Sequence, residues 1–495
     1  MHRLVAALAV VVIALSLWRL EGMRAGLEIT PLVIDGGPPV TLYHLPEARP
    51  APVVVIAHGF AGSRQIMESY ALTLARAGYL VASFDFMGHG RNVAPMRGDV
   101  GSIDGTTRLL VEETQAVARA ALAHPLADGR LAFLGHSMAS DIVIRAAMAN
   151  PTAEAVVAIS MFSQAITATS PPNLLVLPGE WEPHLRDEGL RVLRLSDPAA
   201  DEGAEVGAME DGTARKVFVA PKVEHVGVLY STAALAETTA WLDRSFGRLS
   251  QTEPVARGPW IMALLAGIAA LGWPLSRLLP KGAAVGARLP ARRFWLAVGL
   301  PALVVPLALA PFDVRLLPVL VADYLALHLA AYGALTLGLL AWWGALRGQF
   351  PPRIWAIALA CAVFGIGLIG GGIDRYFTSF FPHAGRAVVI LGLALGAVPF
   401  GLGDAVLTEG GRAALWRVLV VRGAFLGSLV LAVMLNFDRL MFLLIILPVI
   451  VVYFLMFGTA AGWVGRRTGL PAGAGLGFGL VLAWSIGVVF PMFAA

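Results

Sequence analysis

The chain has 495 residues, of which 57% are hydrophobic and only 14% carry a charge. This composition excludes an ordinary soluble protein, and the length is sufficient for more than one domain. The net charge of +4 arises from basic residues beside apolar segments, so it gives no reason to expect a nucleic-acid partner. The single cysteine, Cys361, lies in an apolar run, which excludes a disulfide framework and leaves the redox compartment open.

The N-terminal segment starts with Met1-His2-Arg3 and continues with an apolar stretch over residues 4–18. A cleaved signal peptide has a small-residue cleavage site after such a stretch. Residues 19–24 read Arg-Leu-Glu-Gly-Met-Arg and do not fit that pattern. We therefore expect residues 1–24 to form a retained signal anchor that sends the following domain across the membrane.

Residues 25–248 are predicted to form an α/β domain. Segments 27–34 and 40–45 flank the turn signal Asp35-Gly36-Gly37 and predict a hairpin, and the β-branched run 52–57 predicts a strand buried on both faces. Further strands are expected at residues 79–85, 131–134, 156–159, 174–177 and 216–219, and helices at residues 68–77, 106–123, 141–150 and 233–246. This alternation predicts a mostly parallel sheet that binds its ligand beyond the carboxyl ends of the strands.

The most informative motif is Gly135-His136-Ser137-Met138-Ala139, which ends an apolar run and precedes a helix-compatible segment. A serine hydroxyl is a poor nucleophile unless an exposed position, a neighbouring base and oxyanion donors activate it. A sharp turn between a strand and a helix supplies that position, and small residues on both sides of the serine let the backbone turn. We predict that Ser137 is the nucleophile; the alternative is a serine that only caps the helix.

Two further loops supply a candidate base and a candidate acid, in the chain order serine, acid, histidine. The last predicted strand leads to His225, the strongest base candidate in the domain. The strand before it leads to Glu182, the preferred acid, with Glu180 and Asp197 as alternatives. In such a triad the histidine takes the serine proton, and the acid holds the histidine in the required tautomer and orientation.

The first buried strand ends in His58-Gly59-Phe60, and a loop at that place is suited to aim a backbone N–H at a developing oxyanion. We predict that the N–H groups of Phe60 and Met138 form the oxyanion hole. The alternative is a simple turn between a strand and a helix. Loss of one such donor typically lowers the rate by about 10²–10³-fold.

Together these motifs resemble the α/β-hydrolase superfamily, and the resemblance rests on His58-Gly59-Phe60, Asp85-Phe86-Met87-Gly88-His89-Gly90, Gly135-His136-Ser137-Met138-Ala139, Gly179-Glu180-Trp181-Glu182 and Glu224-His225. Residues 27–247 are most similar to serine esterases, lipases and the dienelactone-hydrolase-like or S33-peptidase-like groups. The resemblance implies a catalytic triad of Ser137, Glu182 and His225 that uses no cofactor and no metal. Two positions depart from the common pattern: Ala139 replaces a glycine, and a glutamate replaces the commoner aspartate.

Beyond a linker at residues 249–259, residues 260–495 contain apolar runs of about 17–25 residues, the length that spans a bilayer. We expect an all-α bundle of about eight membrane helices, near residues 260–279, 294–310, 318–343, 354–372, 387–407, 418–435, 440–458 and 472–493. Basic residues concentrate in the loops after the first, third, fifth and seventh runs, and positive loops stay in the cytoplasm. The α/β domain is therefore predicted on the periplasmic or extracellular side of a bacterial-type inner membrane.

Charged residues in the membrane half give two further hypotheses. Asp323 and His328 lie within one apolar run, and ionisable residues inside a span favour a functional role. Charged pairs in the outer loops, such as Asp374-Arg375, are interpreted as solvated turns, with docking of the α/β domain as the alternative.

These observations predict a membrane-anchored serine hydrolase that cleaves an ester or other acyl bond through an acyl-enzyme. The expected partners are the lipid bilayer and a small-molecule or lipid ester substrate, while the oligomeric state stays open. Two alternatives remain: an S33-like peptidase, and a transporter or signalling protein whose α/β domain only binds a ligand.

Overall fold

The computed structural model describes residues 1–47, 49–285, 288–319 and 321–494. Helix α1 (His2–Gly22) precedes an α/β domain, and the elements after residue 257 form a second, all-helical part. Two clusters of buried apolar residues fill the α/β domain, one for each face of its sheet, and a separate large cluster fills the all-helical part. The two parts therefore have cores of their own.

The α/β domain is built on a nine-stranded sheet, counted over the described residues. Its strands are β1 (Glu28–Leu32), β2 (Val40–His44), β3 (Ala51–Ala57), β4 (Leu80–Phe84), β5 (Ala127–His136), β6 (Ala153–Ile159), β7 (Leu174–Leu177), β8 (Glu205–Val206) and β9 (Arg215–Val217). They lie side by side in the order β1-β2-β4-β3-β5-β6-β7-β9-β8. Strand β2 is antiparallel to β1 and β4, β8 is antiparallel to β9, and the other pairs are parallel. The carboxyl ends of the parallel strands share one edge, which we call the carboxyl edge.

Helices cover both faces of this sheet. Helices α2 (Glu68–Arg76) and α6 (Thr232–Ser245) pack on one face, and α3 (Arg108–Leu122), α4 (Met138–Met148) and α5 (Pro183–Ser196) pack on the other. Every residue of β3 and β4 is buried, which explains their continuous apolar and β-branched sequences. The expected α/β architecture is therefore present, with α5 as a helix that the sequence pattern does not predict.

Burial of one carboxyl group on α3 makes the stability of this domain depend on pH. Glu113 accepts hydrogen bonds from the N–H of Met87 and the side chain of Asn92, yet burial raises its pKa to about 7 from 4.5. Between these two values the folded state binds more protons than the unfolded state, so the free energy of unfolding falls as the pH rises. We expect Glu113→Gln to remove this part of the pH dependence.

The measurement is thermal unfolding of the wild type and Glu113→Gln at about pH 5 and about pH 8. The difference between their melting temperatures at each pH cancels the contribution of all other titrating groups. The apparent melting temperature of the wild type should fall relative to the variant at the higher pH. A difference between the two proteins that is the same at both pH values would contradict the assignment.

Among the described residues, nine helices are long and apolar enough to cross a membrane, which is compatible with a multi-pass membrane protein. The first is α1, and the others follow the α/β domain. These are α7 (Gly258–Ser276), α8 (Ala291–Leu309), α9 (Ala322–Trp342), the span Ile354–Tyr376, the span Ala384–Leu407, α13 (Leu415–Leu435), α15 (Leu443–Thr468) and α16 (Pro471–Val489). The span Ile354–Tyr376 contains α10 (Ile354–Ala362) and α11 (Gly370–Tyr376), α12 is Ala387–Leu407, and the short α14 (Phe437–Leu440) precedes α15. Helix α15 extends well beyond residue 458, where the hydropathy pattern places its end.

The α/β domain contacts alternate loops of the all-helical part. The hydroxyl of Ser63, in the loop after β3, lies 2.9 Å from that of Thr378, which follows α11. In the same loop, the ring of Phe60 lies 5.5 Å from the ring of Phe442, which directly precedes α15. The carboxyl edge of the sheet is therefore the edge that faces the long apolar helices.

Ion pairs reinforce this docking. Asp374 lies 2.7 Å from Arg91 of the loop after β4, so the interpretation of this charged turn as merely solvated is wrong. Glu68 of α2 is buried and forms ion pairs with Arg24, after α1, and with Arg257, before α7. Removal of one partner from such a buried group leaves an uncompensated charge, so this cluster ties both flanking segments to the domain.

The two ionisable residues that the sequence singles out in the all-helical part have separate local partners. Asp323 accepts a hydrogen bond from the N–H of Leu317 at 2.8 Å. His328 is buried, with one ring nitrogen 3.0 Å from the hydroxyl of Ser428 and the other 3.4 Å from that of Tyr324. These contacts account for both polar side chains within the packing of the helices.

Candidate active site

Ser137 lies in the tight turn between β5 and α4, on the carboxyl edge of the sheet. Its backbone has φ 54° and ψ −118°, a sparsely populated conformation for a residue with a Cβ. A glycine is needed at position 135, two residues before Ser137, because a Cβ there would lie 2.5 Å from the carbonyl oxygen of Ala139. Ala139 itself is fully buried in the core, so the alanine at this usual glycine position is accommodated.

The three side chains of the predicted triad form a continuous hydrogen-bond chain. The Oγ of Ser137 lies 2.8 Å from Nε2 of His225, and Nδ1 of His225 lies 2.6 Å from Oε1 of Glu182. His225 follows β9 and Glu182 follows β7, so two neighbouring connections of the carboxyl edge bring both side chains beside the serine. This geometry suits transfer of the serine proton to the histidine.

Several donors hold the carboxylate of Glu182. Its Oε2 accepts hydrogen bonds at 2.7 Å from both the N–H of Gly179 and the hydroxyl of Ser160. Burial alone would raise the pKa of Glu182, but the hydrogen bonds from His225, Gly179 and Ser160 outweigh burial and lower that pKa. The carboxylate is therefore ionised at neutral pH, the state that orients a histidine and stabilises its protonated form.

The two alternative acids have other partners. Glu180 accepts a hydrogen bond from the N–H of Lys222 at 2.8 Å, and Asp197 accepts one from the N–H of Ala199 at 3.0 Å. Within the described ranges, neither carboxylate forms a hydrogen bond or ion pair with His225. The structure thus selects Glu182 as the acid that the histidine contacts.

The two predicted oxyanion donors flank the serine. A Cβ at Gly59 would lie 3.0 Å from the Cβ of Ser137, so the loop after β3 packs directly against Ser137, and Phe60 is the next residue of that loop. Met138 begins α4, where backbone N–H groups have no partner within the helix. Among the described residues, neither the Phe60 nor the Met138 N–H donates a hydrogen bond. Both donors are therefore available to an oxygen bound beside Ser137.

Two further histidines lie beneath this site and hold its loops. Nδ1 of His58 donates to the carbonyl of Gly59 at 2.8 Å, and its Nε2 accepts from the N–H of Phe86 at 3.1 Å. Burial lowers the pKa of both His58 and His89, so both rings stay neutral at physiological pH. In the part of the chain that the structure describes, no group of three or more His, Cys, Asp or Glu side chains is arranged to hold a metal ion.

A known protein family matches the part of the chain that contains the serine turn. Residues 48–185 match the model of a family described as serine aminopeptidase, S33. This match includes β3, the serine turn and Glu182. The matched residues lie within the α/β domain and include most of its parallel strands. No curated protein matches the chain.

The chain also aligns with solved structures of low sequence identity. A Thermus thermophilus protein, TT1662, is 18% identical, with 45% of this chain and 99% of that chain covered and a TM-score of 0.33. A dienelactone hydrolase from Anabaena variabilis is 17% identical, with 44% and 97% covered and a TM-score of 0.32. A mutant of the esterase E40 is 20% identical, with 45% and 86% covered and a TM-score of 0.33.

Sequence reasoning missed two residues that hold parts of the candidate site. Nε2 of His136 donates to the backbone carbonyl of His225 at 2.8 Å, and burial lowers the pKa of His136 to about 3 and keeps it neutral. Ser160, directly after β6, donates its hydroxyl to Glu182. Neither residue carries a strong signal, because one occupies a variable position of the serine motif and the other is an ordinary loop serine.

The close approach of Gly59 predicts a loss of activity when a methyl group is added. In Gly59→Ala the new Cβ would lie 3.0 Å from Ser137 Cβ and 3.0 Å from Nδ1 of His136, so the loop must shift and move the Phe60 N–H. We expect ester turnover to fall by about 10²–10³-fold, the usual effect of losing one oxyanion donor. The measurement is steady-state hydrolysis of a short ester.

Gly101→Ala is the matched control for Gly59→Ala. A Cβ at Gly101, in the loop after β4, would meet an oxygen of Asp99 at 3.4 Å, which is ordinary contact. This control should retain wild-type turnover. Equal activities of the two variants would contradict the role of the loop after β3.

Proposed function

We propose that this chain is a membrane-anchored serine hydrolase that cleaves an ester or other acyl bond through an acyl-enzyme. The observation that carries the proposal is the hydrogen-bond chain from Glu182 through His225 to Ser137. Ser137 lies at a strand-to-helix turn beside two available N–H donors. A serine activated in this way is suited to acyl transfer.

In the proposed mechanism, Oγ of Ser137 attacks the substrate carbonyl carbon while its proton passes to Nε2 of His225. The carbonyl oxygen becomes an oxyanion and accepts hydrogen bonds from the N–H groups of Phe60 and Met138. The bond to the leaving group then breaks, and His225 gives its proton to the departing oxygen, which leaves an acyl-serine. Water, deprotonated by His225, attacks this ester, and the proton returns to Ser137 as the carboxylic acid departs.

The charge distribution supports an extracytoplasmic hydrolase domain. The helix ends remote from this domain carry a large set of basic residues, namely Arg277, Lys281, Arg288, Arg292, Arg293, Arg347, Arg353, Arg412, Arg417, Arg466 and Arg467. Positive loops stay in the cytoplasm. With that end in the cytoplasm of a bacterial-type cell, the hydrolase domain lies on the periplasmic or extracellular side, and α1 serves as its signal anchor.

A peptide bond is the second candidate, because the matching family is described as a serine aminopeptidase. An aminopeptidase needs a free carboxylate near the serine to hold the amino terminus of its substrate. On the carboxyl edge, Glu180 and Glu224 accept hydrogen bonds from the backbone of Lys222 and Gly227 and so close their own turns. Ester hydrolysis is the first proposal because the triad and the two N–H donors suffice for it, whereas an aminopeptidase needs that additional carboxylate.

Pre-steady-state hydrolysis of p-nitrophenyl acetate tests the acyl-enzyme. We expect a rapid burst of nitrophenol, equal in amount to the enzyme, before a slower steady rate, because the activated nitrophenyl ester acylates Ser137 faster than water removes the acetyl group. Turnover of alanine p-nitroanilide by the same preparation tests the peptidase alternative, and its rate is compared with that of the ester. Turnover of the anilide with none of the ester would overturn the ester proposal.

A further inference from the structure

Three large apolar side chains point into solvent from the carboxyl edge of the hydrolase domain. The exposed fraction is 60% for Phe162, 62% for Trp181 and 37% for Val226. They follow β6, β7 and β9, and the last two of these connections also carry the acid and the base. We call these three residues the apolar rim. Exposed apolar side chains gathered beside a site indicate a surface for an apolar partner.

The other half of the carboxyl edge is held at the level where the apolar helices end. The hydroxyl of Ser63 lies 2.9 Å from Thr378, just beyond α11, and the ring of Phe60 lies 5.5 Å from Phe442, just before α15. The ends of membrane helices mark the surface of the bilayer. The carboxyl edge therefore lies at the height of the lipid headgroups.

The position of the apolar rim in the sheet indicates that its partner is lipid. Strand β5, which leads to Ser137, divides the sheet into two halves. On one side lie β3 and β4, whose loops dock on the helices, and on the other lie β6, β7 and β9, which carry the rim. The docked half rests on protein, so the half with the apolar rim extends beside it over the lipid surface. Aromatic side chains are enriched at that level of a membrane protein.

We infer that the apolar rim inserts into the leaflet on the hydrolase side, and that the substrate is an acyl ester of a membrane lipid which reaches Ser137 from the bilayer. This inference rests on the proposed serine hydrolase activity for its substrate, but insertion of the rim is measurable without any turnover.

A fluorescent probe measures insertion directly. The single native cysteine, Cys361, is buried, so Phe162→Cys and Trp181→Cys each provide one accessible thiol for an environment-sensitive nitrobenzoxadiazole label. The control is Met148→Cys at the end of α4, which lies on the opposite edge and is 43% exposed. The labelled full-length proteins are placed in nanodiscs of phosphatidylcholine and phosphatidylglycerol, with and without nitroxide-labelled lipid.

We expect blue-shifted emission and strong nitroxide quenching at positions 162 and 181, and neither effect at position 148. Emission that is neither shifted nor quenched at the rim would overturn the inference. A blue shift without quenching would also overturn it, because the rim would then contact protein, such as a second copy of the chain, instead of lipid.

Turnover tests the substrate class. We expect Phe162→Ser combined with Trp181→Ser to lower the ratio of lipid-ester to short-ester turnover by at least about tenfold, because two aromatic side chains then no longer enter the apolar layer. The lipid substrate is a fluorogenic diacyl phospholipid in the same nanodiscs. Met148→Ser combined with Leu195→Ser removes exposed apolar side chains from the opposite edge and should leave the ratio unchanged. An unchanged ratio in the rim variant would overturn the lipid substrate.

The two proposals fail in different ways. If the wild type hydrolyses the short ester but the rim neither inserts nor changes the ratio, the hydrolase stands and the lipid inference is overturned. If the rim inserts but the wild type hydrolyses neither ester, the serine hydrolase and the substrate are both overturned, and the rim is only a membrane contact.

Discussion

Replacement of Ser137 by alanine is expected to lower the turnover of a short ester by about 10⁶-fold, the effect of removing a triad nucleophile. Without Oγ there is no atom to form the acyl-enzyme, although the oxyanion donors and the substrate site remain. The backbone N–H of Ser137 donates to the carbonyl of Ile159 at 2.9 Å, and this bond is kept in the variant. The fold should therefore persist.

The measurement for Ser137→Ala is steady-state ester hydrolysis, with circular dichroism and gel filtration as controls for folding. A folded variant should show no burst and a rate close to that of buffer. A folded variant that keeps a substantial part of the wild-type rate would show that another group attacks the substrate.

The second large effect is expected at Glu182. In Glu182→Gln the volume is retained, but an amide cannot accept from His225 on one side and from both Gly179 and Ser160 on the other. The histidine then loses the partner that fixes its tautomer and stabilises its charge. We expect kcat to fall by about 10⁴-fold, as in other triads whose acid is replaced by its amide.

Glu180→Gln is the matched control, because Glu180 lies on the same connection but accepts its hydrogen bond from the N–H of Lys222. Its kcat should stay close to that of the wild type. If Glu180→Gln lost as much activity as Glu182→Gln, the acid of the site would be misassigned. The comparison therefore decides between the two glutamates, which the sequence alone leaves open.

Much of the α/β domain can be predicted because local signals and the fold agree. The β-branched run before His58 is a strand buried on both faces, and the serine motif stands between a strand and a helix. Chain order then suffices to nominate His225 and Glu182, since both follow strands whose carboxyl ends share one edge. These strong signals are also the ones that define the candidate site.

Other features depend on contacts between distant segments and leave little trace in the sequence. Helix α5 is amphipathic but rich in charged residues, and among its apolar side chains it fully buries only Val192 and Leu193, so its sequence resembles a charged loop. The role of His136 depends on a carbonyl in a loop far along the chain. Docking through Asp374 and Arg91 likewise follows from the tertiary arrangement, because charged turns look alike whether solvated or paired.

The most direct test of the account is labelling of the purified full-length protein with a fluorophosphonate probe, followed by mass spectrometry of the modified peptide. Such a probe reacts with a serine whose base and oxyanion donors are assembled. We predict stoichiometric modification of Ser137 in the wild type, and loss of that modification in His225→Ala. A well-folded wild type that remains unlabelled, or that is labelled at a different serine, would contradict the assignment of this site.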